Sequence, residues 1–158
     1  MINPNQKLES RSFFGGTLIQ RFNNKNSSIT SINGINKLSL EKINFFVNVL
    51  KSVKSNAITI FDENSLISQS GGQTSRIDAL QNCLYKFNSK HKFKKLKKVY
   101  LFSDAFFPFV DSLLIIKKQK IKIETYAPMG SKNDSEILRN IKKYKLNFFK
   151  LSDRHFKH

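Results

Sequence analysis

Hydrophobic and polar residues recur along this chain with two spacings, one typical of helices and one typical of buried strands. A spacing of about 3.6 residues predicts a helix from Leu40 to about Ser52, with Ser39 as its amino-terminal cap. Its apolar stripe comprises Leu40, Ile43, Phe46, Val47 and Leu50. The same spacing predicts three further helices. The first carries Ile77, Leu80, Leu84 and Phe87 on one face, and the second runs from Asp111 to about Gln119. The third begins at Ser131 or Asn133 and continues through Ile137, Leu138, Ile141 and Tyr144.

Short apolar runs predict the strands. They are Thr17–Phe22, Ala57–Phe61, Leu66–Ile67, Val99–Phe102, Ile121–Thr125 and Asn147–Leu151. Turn residues 62–64 join the second and third runs as a hairpin, and the polar stretch 23–36 predicts a loop. Strands and helices alternate after residue 56, which indicates an α/β sheet covered by helices. We expect one domain over residues 1–158, in which residues 1–14 form an amino-terminal arm that the pattern does not assign.

The segment Ser103–Phe109 carries the strongest indication of a binding site. It follows a predicted strand, so it lies where an open α/β sheet presents its ligand crevice. Three phenylalanines, a proline and two carboxylates, Asp104 and Asp111, are crowded around this turn. Phenylalanine is usually buried, so any one of the rings is as well explained by the core. Core packing alone does not explain the two carboxylates among them.

Two glycine turns precede predicted helices and are candidate anion sites. Gly71–Arg76 offers backbone N–H groups, a helix amino terminus and a guanidinium, a combination that suits a phosphate or a carboxylate. Gly130-Ser131 makes a similar turn after the strand Ile121–Thr125. A plain loop is the favoured interpretation of the first turn, and a simple turn with a serine helix cap is the favoured interpretation of the second.

The formal net charge of +17 raises the possibility of nucleic-acid binding. Only five of the 28 cationic residues are arginines, however, and the lysines are scattered among many Asn, Ile and Phe residues, as AT-biased coding produces. The densest run, Lys90–Lys98, is interpreted as a solvated linker, with a phosphate or RNA patch as the alternative. We therefore expect no specific nucleic-acid partner.

Cysteine and histidine usage narrows the chemistry further. The single cysteine, Cys83, lies on a predicted buried helix face and is interpreted as an inert thiol in a reducing compartment. The three histidines lack the spacing of a zinc site, so no metal site is predicted. Without a long apolar run or a signal sequence, the chain is expected to be soluble and cytoplasmic, with no membrane partner.

Five separated blocks resemble one family, in the family's order. They are Lys51–Ile58, Gly72–Arg76, Ser103–Phe109 with Asp111, Pro128–Ser131 and Arg154–His158. Gly15–Gln20 is similar to a sixth, short segment of that family. The blocks resemble the carboxyl-terminal part of the bifunctional purine-biosynthesis enzymes that combine AICAR transformylase and IMP cyclohydrolase. The match through Asp104–Phe109 is highly specific.

The resemblance implies formyl transfer from the co-substrate 10-formyltetrahydrofolate to the 5-amino group of AICAR. It also implies a three-layer α/β/α, cytidine-deaminase-like fold without zinc, no metal requirement, and a site completed across a homodimer interface. By the same resemblance, Asn56 lies near the reacting formyl group and Arg76 contacts the nucleotide. Phe106 and Phe109 line the nucleotide and folate pockets, Asp111 binds the pteridine, and Arg154 holds the AICAR phosphate. The supporting residues are Gln73, Ser75, Asp104, Gly130 and Ser131.

The sequence differs from the family's pattern at several points, and these differences leave two hypotheses for its function. The family's Lys-His pair, which supplies the proton shuttle and the oxyanion stabiliser, has no counterpart among the histidines here, and the cyclohydrolase domain is absent from this sequence. Val110 stands where the family usually has arginine, and Ser68–Gly71 replaces a glycine-rich approach. The chain is therefore expected to be an AICAR formyltransferase fragment or split subunit, inactive alone and completed by a second copy or a complementary chain. The alternative is a non-catalytic nucleotide- or folate-binding or partner module.

Overall fold

A computed structural model describes residues 7–89 and 95–157 of the chain. The strands are β1 (Leu8–Phe13), β2 (Gly16–Arg21), β3 (Ile29–Asn33), β4 (Ile58–Phe61), β5 (Leu66–Ser70), β6 (Lys98–Ser103), β7 (Lys122–Pro128) and β8 (Asn147–Leu151). The helices are α1 (Leu40–Ser52), α2 (Arg76–Ser89), α3 (Val110–Lys117) and α4 (Asp134–Lys143). Each predicted strand and helix is present, with ends shifted by a few residues.

Six strands form one mixed sheet in the order β3-β8-β7-β6-β4-β5. Strands β6, β7 and β8 are parallel neighbours, whereas β3, β4 and β5 join the sheet through antiparallel pairs. The predicted hairpin of β4 and β5 is confirmed. Because β6, β7 and β8 are parallel, the segments that follow them all leave from the same edge of the sheet.

Helices cover both faces of this sheet, which confirms a three-layer α/β/α arrangement. Helices α2, α3 and α4 pack on one face through a mainly aliphatic core, including Leu80, Leu113 and Ile141. Helix α1 packs on the other face, where Phe46 stacks on Phe61 with ring centroids 4.1 Å apart. Aromatic stacking continues there through Phe102, Tyr126 and Phe149. The sheet is therefore held from both sides. The likeness to cytidine deaminases in particular remains a prediction.

One element contradicts the sequence prediction. The stretch 23–36, predicted to be a loop, contains strand β3, which pairs with β8 and carries an irregularity between Ser31 and Asn33. Its residues are mostly polar because β3 is an edge strand with much of its surface exposed. An edge strand needs only one partner and little apolar surface, so local composition did not reveal it.

Strands β1 and β2 form a separate antiparallel hairpin, hereafter the β1–β2 arm. Strand β2 confirms the predicted strand near Thr17–Phe22, and β1 lies in the stretch that the pattern left unassigned. The end of the amino-terminal arm, residues 1–6, and residues 90–94 of the lysine run lie outside the described residues. Among the residues that are described, no helix is long and apolar enough to cross a membrane.

Candidate active site at the carboxyl edge of the sheet

Three connections at the carboxyl edge of β6, β7 and β8 bring the predicted site residues together. The segment Asp104–Phe109 follows β6, Gly130 follows β7, and Arg154 follows β8. Arg154 donates from Nη2 to the Gly130 carbonyl oxygen at 2.9 Å, and its guanidinium lies 4.5 Å from the centre of the Phe106 ring. The edge thus joins residues that are about 20 to 50 positions apart in sequence, as expected of parallel strands.

A buried carboxylate, Asp104, lies at the centre of this edge. Its side chain accepts hydrogen bonds from Arg76 Nη1 and from Ser55 Oγ, the latter at 2.6 Å. Its backbone carbonyl oxygen accepts from the His155 amide at 2.8 Å. Ser55 in turn exchanges two hydrogen bonds with the backbone of Lys157. We call Ser55, Arg76, Asp104, His155 and Lys157 the Asp104 cluster.

Arg76 is a buried member of this cluster. Besides pairing with Asp104, it donates to the Ala57 carbonyl oxygen at 3.3 Å, and burial lowers the pKa of its guanidinium to about 10. A buried ion pair is retained only when its partners stay hydrogen-bonded. Arg76 therefore joins the start of α2 to the segment after β6. Its contact with a nucleotide remains a prediction of the resemblance.

The start of α2 is closed by its own side chains. The Ser75 hydroxyl oxygen accepts from the Asp78 amide at 3.1 Å and donates to the Asp78 carboxylate at 2.6 Å, and Thr74 Oγ1 donates to the same carboxylate. This cap satisfies the Asp78 amide and places a carboxylate at the helix end, where a bound anion would be repelled. The geometry favours the plain-loop interpretation of the Gly71–Arg76 turn over a phosphate site.

Asn56 and Gln73 contact each other directly. The Asn56 side-chain amide donates to the Gln73 carbonyl oxygen at 3.0 Å, while Gln73 Oε1 accepts from Asn82 at 2.9 Å. Asn56 lies one residue after Ser55 and is partly buried. The predicted catalytic asparagine is therefore held beside the Asp104 cluster by a backbone group.

The three phenylalanines of the segment Ser103–Phe109 have three different environments. Phe107 is core, with 2% of its surface exposed and an edge-to-face contact with Phe148. Phe106 is half-buried beneath the Arg154 guanidinium. Phe109 is 63% exposed and precedes α3, in whose first turn Asp111 is also exposed. The core explanation is right for Phe107, whereas Phe106, Phe109 and Asp111 present an aromatic and acidic surface.

The Gly130-Ser131 turn fixes Arg154 through backbone geometry. Gly130 has φ +118°, and a Cβ atom there would lie 2.7 Å from Arg154 Nη2. The Asp134 carboxylate accepts from both the Gly130 and Ser131 amides, at 2.7 and 2.9 Å. These amides are thus satisfied within the turn, and the carbonyl of Gly130 is the group that orients Arg154.

His155 is a structural residue that sequence reasoning missed. It is fully buried, with Asn23 Nδ2 3.1 Å from Nδ1 and Ser27 Oγ 2.7 Å from Nε2. Since an amide nitrogen donates, Nδ1 accepts and Nε2 carries the proton. Burial lowers the pKa of His155 to about 4; nearby Lys51 and Lys25 add to this shift, and Asp153 opposes it. No sequence signal distinguished this histidine, because its partners precede it by more than 120 residues.

A basic cleft adjoins this edge, between the β1–β2 arm and the carboxyl-terminal tail. It has a volume of about 550 Å³, and its lining includes the cationic residues Lys7, Arg21, Lys25 and Arg154 and the aromatic residues Phe22 and Phe156. Cationic and aromatic groups around one cleft suit a flat, anionic ligand. Over residues 7–89 and 95–157, no cluster of His, Cys, Asp or Glu is arranged to hold a metal ion.

A three-layer α/β/α domain with an aromatic and basic surface at its carboxyl strand edge is typical of proteins that bind small ligands at that edge. A sequence model of the AICARFT/IMPCHase bienzyme family matches residues 1–86. The chain belongs to this family, an enzyme family of purine biosynthesis.

Curated relatives match nearly the whole chain. Bifunctional purine biosynthesis protein PurH of Buchnera aphidicola subsp. Baizongia pistaciae is 36% identical over 162 residues, which cover 98% of this chain and 30% of the relative. The proteins of the same name from Fusobacterium nucleatum and Clostridioides difficile are each 34% identical, over 98% and 99% of this chain and 31% and 30% of their own lengths. The chain thus spans about 30% of the length of these relatives.

Proposed function

We propose that this chain provides the carboxyl-terminal half of an AICAR transformylase site. The AICAR amino nitrogen would attack the formyl carbon of 10-formyltetrahydrofolate. The bond between that carbon and folate N10 then breaks, a proton leaves the amine, and N10 gains a proton. One observation carries the proposal: all five blocks that resemble the family meet around Asp104 and Arg154, through hydrogen bonds and one cation–π contact.

The exposed residues of the edge take the substrate roles. Arg154 is held by Gly130 and Phe106 beside the basic cleft, where a guanidinium suits the dianionic AICAR phosphate. Phe109 offers an exposed ring for a flat pteridine, and Asp111 offers a carboxylate for its N–H donors. Asn56 is positioned near the formyl group by Gln73.

Proton transfer requires groups from the rest of the family's polypeptide. Removal of a proton from an arylamine and stabilisation of a developing oxyanion need a positioned acid/base and a donor. His155, the one histidine among residues 7–89 and 95–157, is fully buried, and both ring nitrogens lie within hydrogen-bond distance of protein partners. We therefore assign the Lys-His chemistry to a complementary chain, since a second copy of this chain brings the same three histidines. We propose that the two chains act together in the cytoplasm.

A non-catalytic module that binds nucleotide or folate is the second candidate function. The observation that favours it is the same burial of His155, since the edge then offers ligand contacts without an evident proton carrier. Binding and turnover separate the two functions.

Formyl transfer to AICAR is the direct test. The purified chain is assayed alone and after co-expression with the part of the Buchnera relative that it does not match. We expect no turnover by the chain alone and turnover by the complemented sample, which Arg154→Ala or Asn56→Ala removes. Turnover by the chain alone would contradict the assignment of the acid/base to the other polypeptide. Folate or AICAR binding without turnover in any sample would favour the non-catalytic module.

The substitution Phe109→Ala tests the proposed folate contact by a binding measurement. Because Phe109 is largely exposed, its loss is expected to change the free energy of unfolding by only about 0.5 kcal/mol or less. The affinity of the complemented sample for a folate, followed by isothermal titration calorimetry, is expected to fall by about tenfold, as for the loss of one stacked ring. Leu40→Ala removes another exposed apolar side chain, on α1, and is expected to leave folate affinity unchanged.

A further inference from the structure

The β1–β2 arm presents apolar side chains that nothing in the described structure covers. Five of the six residues of β2 are exposed, and the two strands pack chiefly against each other. The strand register places Leu8, Ile19 and Arg21 on one face of the arm. Leu8 and Ile19 are 42% and 58% exposed. The opposite face carries Glu9 and Gln20, which line the clefts beside the carboxyl-terminal tail.

This exposure is costly for a hairpin of this size. A two-stranded ribbon is at best marginally stable in water and needs a third strand or a packed helix to stand alone. Phe22 donates to the Lys7 carbonyl oxygen and so closes the base of the arm, whereas Gln20 donates to the Phe156 carbonyl oxygen and so joins the arm to the carboxyl-terminal tail. Gln20 lies on the opposite face from Leu8 and Ile19, so the bond to the tail leaves those two side chains exposed. A further polypeptide would cover them.

Charge argues against a second copy of this chain as that polypeptide. Residues 7–22 contain three cationic residues and one acidic residue, within a chain of net charge +17. Two such arms repel each other, whereas an acidic surface is attracted to them. The part of the relatives that this chain does not match is a candidate for that polypeptide, because the chain spans about 30% of each of them.

We propose that the outward face of the β1–β2 arm is the docking surface for the remaining part of the family's polypeptide, which meets it with apolar and acidic side chains. This inference rests on the proposed function for the identity of the partner. The arm lies beside the basic cleft, so docking there brings the partner's chemistry next to Arg154.

The test measures complex formation rather than activity. The full chain is mixed with the unmatched part of the Buchnera relative, and the dissociation constant is obtained by sedimentation velocity. The double variant Leu8→Ser with Ile19→Ser is expected to weaken binding by about tenfold to a hundredfold, from the loss of buried apolar surface. The matched control, Leu40→Ser with Phe45→Ser, alters two exposed apolar residues on α1 and is expected to bind like the parent chain.

A second variant keeps the arm's apolar surface. Ser10→Glu, opposite Ile19, adds a negative charge to the same face at a residue that does not line the basic cleft. We expect it to weaken binding to an acidic partner and to reduce the dependence of binding on salt. Equal binding by the parent and both arm variants, or no binding at all, would overturn the inference. Self-association of the parent chain that the Leu8 and Ile19 changes abolish would also overturn it, in favour of a second copy.

The two proposals fail in different ways. If the complemented sample transfers the formyl group and the arm variants do not change that rate, the proposed function is supported and the docking surface is contradicted. Binding that depends on the arm, in a parent complex that transfers no formyl group, would support the docking surface and contradict the proposed function.

Discussion

The Asp104 cluster and the β1–β2 arm both connect distant parts of the chain, but by opposite physical means. The cluster joins Ser55, Arg76, Asp104 and the tail through buried, charge-assisted hydrogen bonds. The arm joins the same tail through Gln20 at one end and leaves most of its residues in solvent. Buried charges must keep their partners, so the cluster holds the candidate site in a single arrangement. The exposed arm leaves its apolar surface uncovered within the described residues, and this is the surface proposed above for docking.

Removal of the Asp104 carboxylate is expected to change the free energy of unfolding more than any other substitution that compares the cluster with exposed parts of the chain. Asp104→Ala leaves the Arg76 guanidinium buried without a counter-charge, which costs about 3–5 kcal/mol of the free energy of unfolding. Urea denaturation measures this loss. Asp153→Ala breaks the exposed pair with Lys25 and is the control, with an expected change of about 1 kcal/mol or less. Equal effects of the two variants would show that the cluster is not the rigid part of the site.

The pH dependence of stability tests the junction between cluster and arm. Because the folded-state pKa of His155 is about 4 against 6.5 in the unfolded chain, the unfolded state binds more protons between these values. The stabilising contribution of neutral His155 is therefore complete above pH 6.5 and decreases as the pH falls towards 4, by up to about 3 kcal/mol.

Urea denaturation between pH 7 and pH 4 measures this decrease. His155→Gln cannot titrate and is expected to flatten the profile over that interval, because no proton then binds preferentially to the unfolded state at this position. A parent-like slope in this variant would mean that another group controls the acid sensitivity.

Two glycine-to-alanine substitutions compare how much room the backbone has for a Cβ atom in the turn beside Arg154 and in the β1–β2 arm. Gly130→Ala places a methyl group against the Arg154 guanidinium at φ +118°, and it is expected to cost about 1–3 kcal/mol. Gly16, in the arm, has no atom within 4 Å of an added Cβ. Gly16→Ala is therefore expected to be neutral or to stabilise by up to about 1 kcal/mol. Thermal unfolding of both variants decides whether the turn beside Arg154 is sterically restricted.

The smallest effect is expected in the arm itself. Leu18→Ala removes an exposed side chain and is expected to change the free energy of unfolding by about 0.5 kcal/mol or less. Leu50→Ala, on the buried face of α1, is expected to cost about 2–5 kcal/mol. A large loss from Leu18→Ala in urea denaturation would show that the arm is already packed in the free chain.

Sequence reasoning found the elements that carry a strong period and missed those that depend on a distant partner. Helix α1 was predictable because Ser39 caps it, with its hydroxyl oxygen 3.2 Å from the Lys42 amide, and because its apolar stripe is regular. Strand β3 was not predictable, because its position at the edge of the sheet allows polar residues on much of its surface. The three phenylalanines of Ser103–Phe109 are identical in sequence terms, and only packing separates the core ring of Phe107 from the exposed ring of Phe109.

By itself, the sequence determined the alternation of strands and helices, the placement of Asp104–Phe109 after a strand, and the membership that the family's blocks imply. These properties depend on local periodicity and on residue identity. The tertiary structure alone decided that Arg76 is the buried partner of Asp104, that His155 is a neutral structural residue, and that the β1–β2 arm is left uncovered. Each of these depends on which side chains exclude water from one another, and that is settled by contacts between residues far apart in the chain.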